Sequence, residues 1–527
     1  MEWRGRQKRL VGIKLFLFKT IPAKFCGNGF FVIILFCMDF RDKLIEAGIT
    51  FSDISLRPQK SNLKSRLDPD TFCYLTKKIK LAVPIISANM DTVTESKMAI
   101  VMARYGGIGV IHRNMNIEEQ VREVLKVKSA EEALIRSPYT LFPENLVWQA
   151  RELLAEKQID SVLIIDKGKK LLGLVTKYEL AKAESSELIK KYMLPRKDLI
   201  VAESAGKFLA EKDARAIAEK IFAKQRLLGK LPFIDKKGKL MALLIKKDLF
   251  KSALYPSAIK DDFGRLRVGA AIGVGEDSLL RARALTGAGA DVLVLDVAHG
   301  HALKPMEVTK LIRRHLPNCE LIIGNIATQE AVRDYAQLNV SAIKVGIGPG
   351  ATCSTRIVAG AGVPQVSAIL ECAREAEKHK IPIIADGGIR YPRDVSVAIA
   401  CGASAVMIGT MFAGTDESPG DIIDDNGRLV KVVRGMSSLN VNIGIKGDDF
   451  IKAGLKDMIQ SEGITGHVPY RGPLIRVLGA LVSGLRSGMT YVGAATIEDL
   501  QRPFPRKFTR MSRAAWEESK PHDVEII

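Results

Sequence analysis

Ala342-Ile-Lys-Val-Gly-Ile-Gly-Pro-Gly-Ala-Thr-Cys353 passes from a short strand-like run into a glycine-rich loop that carries a cysteine. The run Ala342–Val345 reads as a strand, and seven others like it recur along the chain. They are Val83–Ser87, Gly107–Ile111, Val268–Ile272, Val292–Asp296, Leu321–Gly324, Ile383–Asp386 and Ala405–Ile408, most of them followed by helical periodicity. Continuous apolar runs, without polar alternation, predict parallel strands buried on both faces. Polar or glycine-rich residues cluster just after the strands: Asn89-Met90-Asp91, Asp296, Asn325, Gly346 to Cys353, Asp386-Gly387-Gly388 and Gly409-Thr410. Eight such units predict an α/β chain built as a (β/α)8 TIM barrel, whose chemistry is placed at the C-terminal ends of its strands.

The chain has 527 residues and a formal net charge of +20, which raises the possibility of a polyanion-binding protein. The distribution argues against nucleic acid as the partner. Residues 1–37 carry seven Lys/Arg and one Glu, and residues 138–260 carry 25 Lys/Arg against 15 Asp/Glu, whereas the segments holding the barrel strands are nearly balanced. Seven scattered cysteines do not suggest a disulfide framework and fit a reducing, cytoplasmic compartment. The leader is basic and then apolar from Phe30 to Cys37, too short a run to span a bilayer. Met38 follows it, so residues 1–37 read as a mis-called start or an N-terminal extension, and no membrane span is expected after it.

Between the second and third strands lies an internal repeat. Ser161–Leu180 and Leu231–Leu249 each read as strand, Asp-Lys-Gly type turn, strand and helix start, preceded by helical stretches Leu146–Lys157 and Ala214–Gln225. Two such units can bury each other's apolar faces. The pair resembles a tandem CBS (Bateman) module, a resemblance that implies ATP or GTP binding through a Thr-x-x-Asp end. Here the first copy has Thr176 and Glu179 and the second has Ile245 and Asp248, so both depart from the pattern. The expected domains are 38–135 and 257–527 for the two parts of the barrel, the second including an active-site flap and a C-terminal tail, and 136–256 for the module.

Gly346-Ile-Gly-Pro-Gly-Ala-Thr-Cys-Ser-Thr-Arg356 is the strongest chemical signal. Its glycines allow tight turns, and a cysteine on such a loop can serve as a nucleophile. Asp386-Gly-Gly-Ile389 and Gly409-Thr410 follow strands seven and eight, the usual phosphate seat of such barrels. His299 and His301 lack a Cys or carboxylate framework for metal. With Ser87-Ala-Asn-Met-Asp-Thr-Val-Thr-Glu95, Asp296-Val-Ala-His-Gly-His301 and Met407 to Gly420, these motifs resemble the IMP dehydrogenase and GMP reductase family from about Met38 to Ile527.

The resemblance implies that Cys353 attacks carbon 2 of IMP, that NAD takes the hydride, and that water hydrolyses the covalent thioimidate to xanthosine monophosphate. It implies catalytic roles for Cys353, Thr355 and Glu462. IMP contacts are implied at Met90, Asp386, Gly387, Gly388, Gly409, Thr410 and Glu462, and dinucleotide contacts at Asp296, Asn325, Gly346 and Gly348. A potassium ion would take Gly348, Gly350 and Cys353, together with Glu518, Ser519 and Lys520 of a neighbouring subunit, which implies a homotetramer.

The chain departs from the family in its flap. The Arg-Tyr dyad that supplies the hydrolytic base is absent, with Asp448-Asp449-Phe450 near the expected place and Lys446 and Lys452 as possible substitutes. Val433 stands where a tyrosine is expected. Three readings follow: an IMP dehydrogenase with an altered flap, a GMP reductase converting GMP and NADPH to IMP and ammonia, and a nucleotide-binding regulatory protein without turnover.

Overall fold

Eight parallel strands close on themselves in the computed structural model. They are β1 (Ile85–Ser87), β2 (Ile108–Ile111), β3 (Gly269–Ile272), β4 (Val292–Asp296), β5 (Glu320–Ile326), β6 (Ala342–Val345), β7 (Ile383–Asp386) and β8 (Ala405–Ile408). The structure describes residues 45, 47–131, 134–157, 159–203, 211–226, 228–249, 254–436, 461–502 and 507–521. The leader, residues 446–452 and the last six residues lie outside that set.

Each strand pairs in parallel with the next, and β8 returns to β1 through Val406↔Ile85 and Ile408↔Ser87. The strands differ from their predicted spans by at most two residues at either end. Such short strands hold because both faces are covered: Ile85, Ile111, Ile272, Val294, Ile323, Val345, Ile384 and Val406 belong to one buried cluster. Helices supply the outer layer, among them Gln365–His379, whose Val366, Ile369, Leu370 and Cys372 are buried. This architecture brings the C-terminal ends of all eight strands to one face.

A two-part insertion separates β2 from β3. In the first repeat, Ser161–Ile165 and Leu171–Thr176 pair antiparallel, with helix Val147–Glu156 packed against them. In the second, Lys230–Ile234 and Leu240–Ile245 do the same beside helix Glu211–Lys224. The period-2 pattern divides the labour of these strands. Val162, Ile164 and Val175 face one helix and Leu231, Phe233, Ala242 and Leu244 the other. Leu163, Leu171, Ile234 and Leu243 instead form a shared cluster between the repeats. The two turns also bond directly, Leu171 N to Gly238 O at 3.0 Å and Leu240 N to Lys169 O at 2.9 Å.

At the end of the second strand of the first repeat, Glu179 folds back on Thr176. Its carboxylate accepts from the Thr176 amide at 2.9 Å and from the Thr176 hydroxyl, closing a capping box on helix Lys177–Leu180. The side chain of Asp248 lies outside the described set. Among the described residues, no helix is long and apolar enough to cross a membrane.

Candidate active site

The glycine-rich loop after β6 turns back across the strand ends, and its shape depends on residues without side chains. Gly346 has φ +151°, and a Cβ there would lie 2.1 Å from the Asp386 carbonyl oxygen. Gly348 and Gly362 both have positive φ and leave space for Arg356, whose Cγ would stand 2.5 and 2.8 Å from Cβ atoms at those positions. Arg356 Nη2 donates to Val363 O at 2.6 Å and so ties the end of the loop to its continuation.

An antiparallel hairpin, Arg428–Arg434 with Thr465–Pro469, adjoins the loop. Its base forms backbone bonds with the loop: Ser354 N donates to Glu462 O at 2.8 Å and Ile464 N to Thr352 O at 3.0 Å. Residues distant in sequence therefore converge. The Cys353 Sγ lies 3.2 Å from Thr355 Oγ1, and the Thr355 hydroxyl donates to Glu462 Oε2 at 2.9 Å. This is a thiol, a hydroxyl and a carboxylate in line. Cys353 is exposed, whereas Cys73 and Cys372 are buried and burial pushes their thiols up.

Towards the ends of β4, β5 and β7, three predicted residues share one partner. Lys344 Nζ lies 2.7 Å from Asp296 Oδ1 and 2.5 Å from Asp386 Oδ2, and also donates to Asn325 Oδ1. Asn325 Nδ2 donates to Gly346 O at 2.6 Å and to Asp386 Oδ2 at 3.0 Å. Burial alone would raise the Asp296 carboxyl. The Lys344 ammonium, Arg113 nearby and a hydrogen bond from Asn89 together outweigh it and hold the carboxyl below its ordinary range. Asp386 is thus held by side chains across the barrel mouth. The capping role in that region falls to Asp394, which accepts from the Arg390 and Tyr391 amides, each at 2.9 Å.

One cleft is lined by Met90, Asp296, Asn325, Gly346, Gly348, Gly350, Cys353, Thr355, Asp386, Gly387 and Glu462. Gly388, Gly409 and Thr410 sit at the adjoining ends of β7 and β8 rather than in its lining. Gly409 still adjoins it, since a Cβ there would lie 2.9 Å from Met90 Sδ. Glu518, Ser519 and Lys520 are not among the residues that line this cleft. They end or follow helix Arg513–Glu518, whose Trp516 packs on Tyr391 with ring centroids 5.7 Å apart. His301 Nε2 lies 2.9 Å from Asp334 Oδ2. Val433 is buried, in register with Gly466 of the hairpin.

A nucleotide and a nicotinamide dinucleotide both suit this donor set: carboxylates for sugar hydroxyls, an amide, and backbone approached through glycines. For a monovalent cation, the backbone carbonyls of Gly348, Gly350 and Cys353 are of the right chemical type. The Gly350 carbonyl also accepts from Cys353 N at 3.1 Å, which uses one of its two lone pairs.

Sequence reasoning missed Lys344 and Gln365. Gln365 Nε2 donates to Val345 O at 2.9 Å and to Asp386 O at 3.1 Å, joining the ends of β6 and β7. The available signal was a lysine inside an otherwise apolar strand.

Fold and site together define a (β/α)8-barrel enzyme with a cysteine on the loop after its sixth strand. The model of the IMP dehydrogenase / GMP reductase domain matches residues 48–522. The chain belongs to the IMP dehydrogenase / GMP reductase family. It is 46% identical over 488 residues to a protein of Aquifex aeolicus named inosine-5'-monophosphate dehydrogenase, covering 92% of this chain and 97% of that one. It is 42% identical over 489 residues to a protein of the same name from Bacillus subtilis, covering 92% and 98%. Among solved structures, a GMP reductase variant of Trypanosoma brucei in complex with guanosine 5'-monophosphate superposes with a TM-score of 0.81 at 38% identity, covering 91% of this chain and 98% of that one.

Proposed function

We propose that this chain is an IMP dehydrogenase, oxidising IMP to xanthosine monophosphate with NAD in guanine nucleotide biosynthesis. The observation that carries the reading is the hydrogen-bonded Cys353–Thr355–Glu462 series lining one cleft together with the Lys344-centred acidic pair. The relatives named as dehydrogenases support the direction of reaction.

In this reading the Cys353 thiolate adds to carbon 2 of the purine, and loss of hydride from that carbon leaves a thioimidate on the sulfur. A bound NAD supplies the hydride acceptor. Asp296, Asn325, Gly346 and Gly348 would hold it. Asp386 accepts from the ribose hydroxyls, Gly387, Gly388, Gly409 and Thr410 serve the phosphate end, and Met90 packs on the base. Water then attacks carbon 2, its proton passes through the Thr355 hydroxyl to Glu462, and cleavage of the carbon–sulfur bond returns the thiolate. Thr355 and Glu462 carry the hydrolytic half-reaction, since no Arg-Tyr pair occurs in residues 437–461.

The carbonyls of Gly348, Gly350 and Cys353, with Glu518, Ser519 and Lys520 of a neighbour, would bind potassium in a homotetramer. Residues 136–256 act as a CBS module for ATP or GTP, between barrel parts 38–135 and 257–527, and the cysteine content suits the cytoplasm.

A GMP reductase is the second reading, favoured by the solved-structure neighbours and by the missing dyad. Purified protein is given IMP with NAD and, separately, GMP with NADPH. Xanthosine monophosphate accumulating with reduced nicotinamide supports the dehydrogenase. Consumption of NADPH with GMP alone transfers the assignment to the reductase.

A further inference from the structure

Lys344 is the one charged residue in β6, and it is 2% exposed. A lysine buried this deeply sheds its proton unless acidic partners hold it. Here its ammonium has a partner for each of its three protons: Asp296 on β4, Asn325 on β5 and Asp386 on β7. The register explains how one side chain reaches so far. Asp296, Gly324 and Lys344 lie level across β4, β5 and β6. A Cβ on Gly324 would stand 2.6 Å from the Lys344 Cβ, so the glycine gives Lys344 room beside β5. The two carboxylates it joins serve different ligands in the reading above.

We propose that Lys344 is the positioning residue that couples the two substrate sites, one ammonium aiming the Asp386 carboxylate at the nucleotide ribose and the Asp296 carboxylate at the dinucleotide. The inference rests on the proposed assignment of those sites to IMP and NAD. Losing the ammonium leaves two neighbouring carboxylates that repel each other, and both sites loosen together.

The test is steady-state kinetics of the full-length protein and of Lys344→Met, which keeps an unbranched stem of similar volume. The KM values for IMP and for NAD both rise, each by about tenfold or more. Asp386→Asn raises the KM for IMP, and combined with Lys344→Met it raises it by less than the product of the single effects. Lys344→Arg, which keeps the charge, restores part of both affinities. A purely structural role would lower the melting temperature and the active fraction while leaving both KM values in place.

Unchanged KM values, a rise in only one of them, or fully multiplicative effects with Asp386→Asn would overturn the proposal. If Lys344→Met does not fold, Lys344→Arg carries the test: both KM values shift together, and a shift in one alone refutes the coupling. Wild type that fails to reduce NAD in the presence of IMP removes the dehydrogenase reading. Lys344 is then tested by calorimetry, with the same tenfold weakening expected for IMP and for NAD, each titrated separately into wild type and Lys344→Met.

Discussion

The barrel mouth and the inserted module both end strands in polar residues, but those residues are disposed differently. In the module, Thr176 and Glu179 satisfy each other in a capping box, so the groups that would face a nucleotide hold the start of a four-residue helix. In the barrel, Asp296, Asn325 and Asp386 are bonded from behind by Lys344 and still line an open cleft with Cys353 and Glu462. A polar residue after a strand becomes a site when a buried partner fixes it and leaves further lone pairs facing outward. When its partner is three residues away on the same turn, it becomes a cap.

Substitutions on the two sides should separate accordingly. The largest effect is expected for Cys353→Ala, which removes the attacking atom and lowers turnover by roughly a thousandfold or more, read as reduced-nicotinamide formation. Glu462→Gln keeps the shape but not the proton acceptor. Turnover falls by about a hundredfold, and a rapid first equivalent of reduced nicotinamide persists because hydrolysis alone is slowed. Gly346→Ala forces a methyl group to within 2.1 Å of the Asp386 carbonyl at a φ of +151°, so the loop must shift. It costs about 1–3 kcal/mol in local strain and weakens IMP binding in the same assay.

In the module, Thr176→Ala costs about 1 kcal/mol of helix capping, seen in thermal unfolding, with kcat unchanged. Excision of residues 136–256 with a short linker likewise leaves turnover in place. The two repeats have cores of their own, and their shared cluster lies between them. The excised barrel therefore keeps its turnover and loses any response to ATP or GTP. A collapse of turnover on excision would break the comparison.

Much of this was legible in the sequence because parallel strands buried on both faces leave unbroken apolar runs. Val292–Asp296, Ala342–Val345, Ile383–Asp386 and Ala405–Ile408 were read to the residue. The two repeats were visible for the same reason, as matched strand–turn–strand patterns. Their division into helix-facing and repeat-facing sides, as in Ile164 against Leu163, appears only on assembly. Cys353, Asp386 and Asp296 could be found because they sit where strands end. Lys344 gave one signal, a charge inside an apolar strand, but its partners are brought to it only by the closure of the barrel. Glu462 was placed in the site by resemblance. The physical reason for its position, backbone pairing of the hairpin base with the cysteine loop, spans more than a hundred residues and leaves no local pattern.

The central claim, covalent oxidation of IMP at Cys353, is tested most directly by mixing wild type and Cys353→Ala with IMP and NAD side by side. Reduced nicotinamide and xanthosine monophosphate are then counted per enzyme subunit. The account predicts many equivalents of both from wild type and neither from the variant. Equal formation by the two proteins, or none from wild type, would contradict it.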